Sequence, residues 1–536
     1  MQKSSTHLEE YMPQYTRRQF LRMSTSGAVA IFSGALGFTG CGKSTSSLEI
    51  ALDEALSSWD PYGVNAVDRF KNAAYHWAVF GGLVHQARDR SLLPGILSDW
   101  GWNEDRNQIY MSVRENALWH DGSPVTPEDV VWSIKRAASH GLGAPMTSIW
   151  NAIDRARVLG NTVLVDVAEY DPVLFRHLAS TSTYVLPERA FSEMSPEEWE
   201  RHPVGSGPYM VKASKKGRYV ELKSFKGYWG EKPDFESVIL KMMPERSDRL
   251  SEFETGSSEL IVGPVDSGGN QKKSASPIYV QEIYPTPRIG LIMLTNTAPI
   301  VRDRNVRLAM HHAINKEVIA RDVLADLGFP IHSLQVPEGL GYDPSIDVRY
   351  DPDAARRYLS ASGYSKVNPA KITIQTKAFS GARDHDIVMA VVSMWREIGV
   401  EAEIEEIDSD DLYKLRVGYS LAPAAFFEWA NPSLDPFFST GVLMHSSSPY
   451  STFKSPEVDR LLSPVFNEHD NSKRIAGYQK VDLFIAQEAL IIPLVQYRQT
   501  LLRNENLVVD PTFSESLSPH NVKRVEACVV DSDGCQ

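Results

Sequence analysis

The pattern between residues 371 and 407 limits the fold of this chain more than any other feature. Apolar and polar residues alternate over 371–376, which predicts a half-buried strand. Helical spacing follows at about 386–398, and a second strand is predicted at 400–407. Two strands joined through a helix pair in parallel, and the helix covers one face of the sheet. We therefore predict an α/β fold in which helices pack on mixed sheets.

Residues that favour helix starts and ends mark further helices. Thr126 is a suitable N-cap, Pro127 suits the first turn, and the acidic Glu128 and Asp129 follow at the positive end of the helix dipole. At the other end of a helix, glycine is a common terminating residue, and Gly363 is predicted to end one. The predicted helices run over 127–138, from 352 to Gly363, from 456 onward, and over 471–488.

Length and charge narrow the class of protein. A chain of 536 residues is expected to form two or three domains, and its apolar and charged fractions of 42% and 23% are typical of globular proteins. The net charge of -13 argues against nucleic acid and against adhesion to anionic lipid, because both require basic patches. It is compatible with neutral or cationic ligands, and equally with a role in solubility alone.

The first residues indicate export. Arg17 and Arg18 stand in a twin-arginine pattern, and the apolar stretch 23–38 is shorter than the ~20 residues that span a bilayer. Residues 38–41 resemble a lipoprotein cleavage box. We predict a signal peptide at 1–40, a lipid on Cys41, and a lipidated tether at 41–47, so that the mature chain is a membrane-anchored lipoprotein in the periplasm or on the cell surface.

Two further cysteines, Cys528 and Cys535, lie near the C-terminus. An exported protein meets oxidising conditions, so a disulfide closing a small terminal loop is predicted between them. The three cysteines form neither a CxxC redox motif nor a zinc ligand set. No cofactor and no metal site are therefore expected.

A series of segments in a fixed order resembles one family. Within it, Trp119-His120-Asp121-Gly122 followed by Thr126, Glu128, Asp129 and Val130 is the most specific motif. The segments are 56–61, 80–84, 93–100, 113–130, 203–209, 227–229, 303–310 and 313–317. The chain resembles the extracellular substrate-binding proteins of the peptide/opine/nickel importers, which serve ATP-binding-cassette (ABC) transporters. The resemblance covers nearly the whole mature chain.

The resemblance implies a two-lobed periplasmic-binding-protein fold of type II, similar to cluster C, with a hinged cleft and an extra subdomain. The first lobe is expected at 48–85, 203–286 and 495–536, its subdomain at 86–202, and the second lobe at 287–494. Two crossing segments join the lobes, and the ligand binds in the cleft between them. Ligand contacts made only in the closed form drive the closure.

The resemblance also points to the aromatic stretch 426–438 as cleft lining, with Phe427 and Trp429 offering stacking area. In peptide-binding members this stretch supplies an aspartate that pairs with the ligand's α-ammonium group. Here Asn431 or, in an ungapped register, Pro432 takes that place, and neither is a carboxylate. The departure weakens the peptide assignment unless Glu428 or Asp435 substitutes, and an amide suits a neutral polyhydroxylated or amide-bearing ligand. The alternative is that the stretch is core with only Phe427 or Trp429 exposed.

Four more residues are expected at the cleft from their order in the family fold alone. Asn65 and Val67 follow the first strand, and Val262 and Gly263 lie where the first lobe approaches its crossing.

Three motifs favour structural rather than chemical roles. His120-Asp121-Gly122 is typical of a turn, because adjacent side chains rarely converge on one centre. Gly205-Ser206-Gly207 lacks the third glycine and the helix start of a dinucleotide loop, so a tight turn is expected. His311 and His312 point to different faces of a helix and are poor joint ligands.

We predict a monomeric solute-binding protein that captures a small molecule, with an oligopeptide narrowly favoured, and delivers it to an ABC permease with two ATPase subunits. No catalytic residues and no nucleic-acid partner are expected, and the lipid on Cys41 provides the membrane contact. One alternative keeps the fold but binds an oligosaccharide, an opine or a nickel chelate. Others are a secreted hydrolase, with convergent acids or a nucleophile–base pair, and a sensor or chaperone-like scaffold.

Overall fold

The computed structural model describes residues 46–63, 66–87, 90–139, 152–168, 170–179, 183–263, 279–378, 382–466, 468–510 and 517–525. For residues 66–71, 382 and 383 the description covers the backbone only. The predictions for the signal peptide at 1–40, Cys41, Asn65, Cys528 and Cys535 lie outside these residues. Within them, no helix is long and apolar enough to cross a membrane.

The strands, in chain order, are β1 (Ser47–Leu52), β2 (Gly81–Gly82), β3 (Val84–Gln86), β4 (Leu92–Pro94), β5 (Leu97–Trp102), β6 (Gln108–Val113), β7 (Arg157–Leu159), β8 (Thr162–Asp166), β9 (Tyr184–Val185), β10 (Tyr209–Lys215), β11 (Tyr219–Ser224), β12 (Ser237–Met242), β13 (Leu260–Val262), β14 (Tyr279–Leu294), β15 (Gly328–Pro330), β16 (Ala370–Lys377), β17 (Val400–Ile407), β18 (Ala424–Ala430), β19 (Ile491–Asn504), β20 (Leu507–Val509) and β21 (Val522–Arg524).

The α-helices of the described residues are Ala66–Val79, Pro127–Ser139, Leu174–Leu178, Glu188–Glu193, Pro196–Arg201, Arg246–Glu254, Pro299–Arg302, Arg304–His312, Lys316–Val318, Pro352–Ala361, Ala382–Arg396, Ser409–Val417, Val442–Met444, Pro456–Phe466 and Asn471–Glu488. Short π-helices lie at Ile319–Val323 and Phe437–Gly441, and 3-10 turns at Ile153–Arg155 and Pro519–Asn521.

One mixed sheet of 11 strands runs through the structure in the order β10-β11-β12-β1-β13-β19-β14-β18-β16-β17, with β15 paired to β19. Its centre is the long antiparallel pair β14 and β19. Their register shifts between Pro285, opposite Arg498, and Ile289, opposite Gln496. Proline has no N–H to donate to the ladder, so Pro285 and Pro287 favour a break at this point. β14 and β19 are therefore the two strands that connect the halves of the sheet.

Apolar side chains form three large buried clusters that follow this division. The cluster on β1, β12 and β13 defines what we call the first lobe. The cluster on β14, β16, β17 and β18 defines the second lobe. A third cluster, on the small sheet β5-β6-β8-β7, defines the subdomain. Each region therefore has a core of its own, which is the condition for moving as a unit.

The strand–helix–strand prediction at 371–407 is confirmed. β16 and β17 pair in parallel from Ala370 opposite Val400 to Lys377 opposite Ile407. The predicted helices form at Pro127–Ser139, Pro352–Ala361, Pro456–Phe466 and Asn471–Glu488. The Asp351 side chain caps its helix by accepting from the Ala354 N–H, and Gly363 follows with φ of +83°. These local signals act within a few residues, so tertiary packing did not override them.

The histidine and glycine motifs have the structural roles predicted for them. His120 Nδ1 accepts from the Gly205 N–H at 3.2 Å, so the proton is on Nε2, which donates to the Gly207 carbonyl at 3.1 Å. Burial lowers the pKa of His120 to about 4, so this imidazole is neutral. A Cβ on Gly205 would lie 1.9 Å from the Val79 carbonyl oxygen, so only glycine fits there. His120 therefore fastens the subdomain to the glycine turn.

His311 and His312 separate as predicted. His311 is buried with its Nε2 at 3.2 Å from Lys316 Nζ, whereas His312 Nδ1 bonds the Arg349 carbonyl at 3.0 Å. Lys316 is itself buried, and its Nζ also donates to the Ile331 carbonyl at 2.8 Å. Burial lowers the pKa of Lys316 to about 7. The two histidine rings lie 6.4 Å apart between centroids, and each bonds a different partner.

Candidate functional site

A pocket opens beside the break in the β14–β19 ladder, where the second lobe meets the crossing strands. It has room for about one water molecule. Its walls come from β14, from the segment 334–339, and from the end of β18 with the turn that follows. The lining residues are Pro287, Ile289, Leu334, Gln335, Val336, Gly339, Trp429, Asn431 and Leu434. Two residues predicted for the cleft, Trp429 and Asn431, thus lie on one wall.

The side chain of Asn431 holds the turn that forms this wall. Its Nδ2 donates to the Asp435 carbonyl at 2.9 Å, and its Oδ1 accepts from Ser433 Oγ at 2.8 Å. Its backbone N–H donates to the Pro287 carbonyl at 3.0 Å, which ties the turn to β14. Leu434 completes the turn with φ of +52°. The amide of Asn431 is therefore largely occupied by the protein itself.

The two carboxylates named as substitutes for the missing aspartate are also paired. Glu428 receives Arg288 Nη1 at 2.9 Å. Asp435 is fully buried and receives both Nη atoms of Arg474, at 2.8 and 2.6 Å. A bidentate guanidinium forms some of the strongest hydrogen bonds that a carboxylate accepts from a side chain. Both acids therefore already have an arginine partner within the protein.

Sequence reasoning missed Arg474, because it lies 39 residues from Asp435 and no motif marks it. Locally the sequence shows only that Arg474 lies near the start of the helix Asn471–Glu488. Asp470 caps this helix by accepting from the Lys473 N–H. The interaction depends on how that helix packs, which no local pattern records.

A buried polar network lies behind the pocket wall. Gln335 Oε1 accepts from Ser439 Oγ at 2.9 Å, and Gln335 Nε2 donates to Thr440 Oγ1 at 2.8 Å and to Asp482 Oδ2 at 3.2 Å. Thr440 Oγ1 also donates to Asp482. Burial raises the pKa of Asp482 to about 7, against smaller opposing effects of these two donors. The amide of Gln335 is therefore fixed in orientation at the pocket.

Side chains of the subdomain contact the turn that forms this pocket wall. Arg176 Nε lies 3.9 Å from Asp435 Oδ2, and Gln86 Nε2 donates to the Ser433 carbonyl at 3.4 Å. The His177 ring packs on Phe438, with 3.7 Å between ring centroids. Burial lowers the pKa of His177 to about 3, so the contact is between two uncharged rings. These contacts connect the subdomain to the turn 431–438 of the second lobe.

Phe427 and Trp429 share one face of β18, two residues apart. Trp429 Nε1 donates to the Phe438 carbonyl at 3.0 Å, which orients the indole at the pocket. The Arg416 guanidinium lies 4.9 Å from the Phe427 ring centroid and 5.1 Å from that of Trp429. The structure thus brings Phe427, Trp429 and Asn431 to one region.

The predicted cleft residues of the first lobe stand apart from that region in their contacts. Val262 is buried on β13 opposite Leu501. Gly263 follows with φ of +115°, and its carbonyl accepts from Thr500 Oγ1 at 2.6 Å. Val67 lies in the helix Ala66–Val79, with only its backbone described. The contacts of Val262 and Gly263 join them to β19, so their part in ligand binding stays a prediction.

In the described ranges no group of three or more His, Cys, Asp or Glu residues is arranged to hold a metal ion. The acids nearest the pocket are bound to arginines or amides instead.

Two lobes with separate cores, joined by two connecting strands, define the class of two-lobed binding proteins. Residues 91–451 match the family described as "Bacterial extracellular solute-binding proteins, family 5 Middle". This is more than half of the 536 residues, and the chain belongs to that family.

Related proteins and solved structures agree with this family assignment. The chain is 23% identical over 459 residues to the dipeptide-binding protein of Escherichia coli, covering 78% of this chain and 84% of that protein. It is 23% identical over 451 residues to the nickel-binding periplasmic protein of the same organism, covering 78% and 83%. The periplasmic binding protein DppA of Helicobacter pylori, solved in complex with peptide STSA, matches with a TM-score of 0.73 at 21% identity, covering 90% of this chain and 98% of that one.

These findings confirm the family and the two-lobed fold predicted from the order of the segments. The chain is a solute-binding protein of the kind that serves ABC importers, and its family consists of transport proteins that act outside the cell membrane.

Proposed function

We propose that this protein captures an oligopeptide outside the membrane and delivers it to an ABC permease driven by two ATPase subunits. Support comes from the family and from the peptides that several relatives bind, among them the dipeptide-binding protein of Escherichia coli and the Helicobacter pylori protein solved with a peptide. The protein carries out no covalent step in this proposal. Its work is to bind the solute and to present the closed form to the permease.

The observation that carries the proposal is the set of contacts across the cleft. Arg176, Gln86 and His177 of the subdomain meet the turn 431–438 of the second lobe directly beside the pocket. A solute enters once these contacts open, and closure then surrounds it from both sides. Only contacts that exist in the closed form shift the equilibrium toward it, so each of these side chains affects ligand affinity.

The break in the crossing strands is the proposed hinge. Thr286 Oγ1 donates to the Tyr497 carbonyl at 2.9 Å, and Gln496 Nε2 donates to the Thr286 carbonyl at 2.9 Å. Gln496 also reaches Glu338, next to the pocket-lining Gly339, at 2.9 Å. Few residues separate the hinge from the pocket, so a change in the angle between the lobes moves the residues that contact the ligand. We propose the lobe limits 48–85 with 203–286 and 495–536, 86–202, and 287–494 on this basis.

The N-terminal sequence supports further proposals. A signal peptide at 1–40 with its twin-arginine motif directs export, and a lipid on Cys41 anchors a monomeric protein to the membrane. Cys528 and Cys535 form a terminal disulfide.

Titration calorimetry with trialanine tests the peptide assignment. We expect saturable binding to the full chain, and Trp429→Ala should weaken it by about tenfold or more, because buried aromatic anchors dominate such sites. Trp132→Ala is the matched control, since Trp132 packs on Phe191 in the subdomain. Equal loss in both variants, or no binding by any peptide of two to five residues, would contradict the assignment. Hydrolysis of the peptide would favour the secreted-hydrolase alternative.

One observation favours a second candidate, a solute without an ammonium group, such as an opine, an oligosaccharide or a nickel chelate. In the family resemblance Asn431 takes the place of the aspartate that binds the ammonium. Glu428 and Asp435, which were open as substitutes, are paired with Arg288 and Arg474. The same calorimeter run with maltotriose and with the nickel–histidine complex separates this candidate from the peptide.

A further inference from the structure

Arg416 is a buried cation enclosed by aromatic rings, one of which, Trp429, lines the pocket. It projects from the helix Ser409–Val417 and is 5% exposed. Its guanidinium carbon lies 4.9 Å from the ring centroid of Phe427 and 5.1 Å from those of Trp429 and Tyr450. The three rings surround the guanidinium. Cation–π attraction to their faces is favourable for its positive charge and holds the group in one position.

The hydrogen bonds of Arg416 are few and long. Nε and Nη2 share one acceptor, the Tyr450 carbonyl, at 3.4 and 3.3 Å. Nη1 donates to no described residue. The protein does not fully enclose this atom. A guanidinium has five N–H donors in a planar fork that fits an anion with two oxygens. Arg416 therefore retains N–H donors on Nη1 that no described residue uses.

No carboxylate in the described part of the chain pairs with Arg416. Burial lowers its pKa to about 10, with small opposing effects of Tyr450 and Tyr413, so the group is charged at neutral pH. A buried charge without an opposite charge is unfavourable unless something else compensates it. Two nearby arginines differ from Arg416 in this respect, because Arg288 is paired with Glu428 and Arg474 with Asp435.

Trp429 connects Arg416 to the ligand. This indole lines the pocket and is also one of the three rings around the guanidinium. We propose that Arg416 binds an anionic group of the solute, a carboxylate if the solute is a peptide, so that the end of the solute beside Trp429 is negatively charged. The inference rests on the proposed solute-binding function. It reverses the polarity that the family resemblance implies, where a carboxylate of the protein binds an ammonium group.

A matched pair of probes tests this on the unmodified full chain. Trialanine carries a terminal carboxylate, and trialanine amide differs only in lacking that charge. We expect titration calorimetry to give about ten- to hundredfold tighter binding for the acid, the range that a charge-assisted hydrogen bond supports. Arg416→Gln should remove the preference, and Arg416→Lys should keep part of it, because lysine retains the charge without the fork.

Lys414→Gln is the control variant, since it removes one positive charge from the exposed side of the same helix. It should leave the acid preference unchanged. Equal affinity for acid and amide in the unmodified chain would overturn the inference while the peptide function stands. Binding of maltotriose but of neither peptide would overturn the peptide function and the inference together. A preference for the acid that survives in a folded Arg416→Gln variant would also overturn the role of Arg416, and the rings would then be its only partners.

Discussion

The buried acid Asp482 makes stability depend on pH in a direction opposite to that of most carboxylates. Burial raises its pKa from 3.8 to about 7, and it accepts bonds from Gln335 and Thr440 without a cationic partner among the described residues. In the unfolded chain the same carboxyl ionises near pH ~3.9. Between these values the folded state holds a proton that the unfolded state has lost, so stability is fully present below about pH 4 and falls as pH rises to about 7.

The magnitude follows from the shift. Each pH unit in this window changes the free energy of unfolding by ~1.36 kcal/mol, so the loss from pH 5 to pH 8 is about 2 to 3 kcal/mol. Asp482→Asn removes the ionisation. Its amide accepts from Gln335 through oxygen and donates to Thr440 through nitrogen, so the network persists. We therefore expect the variant to gain about 2 to 3 kcal/mol over the unmodified chain between pH 5 and pH 8.

Urea unfolding followed by tryptophan fluorescence at the two pH values measures this. The difference between the variant and the unmodified chain cancels the contributions of other groups, including the buried histidines that act in the opposite direction. Asp105→Asn, at an exposed turn of the subdomain, is the control and should show no such gain. The reasoning is refuted if the stability difference between Asp482→Asn and the unmodified chain is the same at pH 5 and pH 8.

Three further predictions follow from contacts of the same structure. Arg474→Met leaves Asp435 buried without its bidentate partner, and the free energy of unfolding in urea should fall by about 3 to 5 kcal/mol; an unchanged urea midpoint would contradict this. Gly205→Ala places a Cβ 1.9 Å from the Val79 carbonyl oxygen, so limited proteolysis should find little folded chain, and a protease-resistant variant would be evidence against that close approach. Arg176→Met removes a charged contact across the cleft, and small-angle scattering should give a larger radius of gyration than for the unmodified chain, whereas equal radii count against a closing role.

Much of the fold was predictable because its signals are local. Asp351 and Gly363 limit their helix through bonds and dihedral angles within a few residues, and the structure has both where the sequence indicated. The parallel pairing of β16 with β17 follows from the helix between them, because two such strands cannot form a hairpin. The order of the segments gave the family and hence the two lobes, since a whole-chain pattern survives changes at single positions.

The candidate site was predictable only in part. Trp429 and Asn431 line the pocket. Both belong to the aromatic stretch 426–438, which the family resemblance pointed to as cleft lining. The state of each polar group was not predictable, since it depends on partners far along the chain. Asp435 was open as a ligand for an ammonium group until the structure paired it with Arg474, 39 residues away.

The sequence by itself determined the α/β elements and the family, because caps, periodicity and motif order are properties of short segments and of their succession. Only the tertiary structure decided which charges are already neutralised. Arg416 and Tyr450 are 34 residues apart, and Arg176 reaches Asp435 from another lobe. Electrostatic interactions in a low-dielectric interior depend on distances of a few ångströms, which packing sets, and so only the folded protein decides which charged groups have partners.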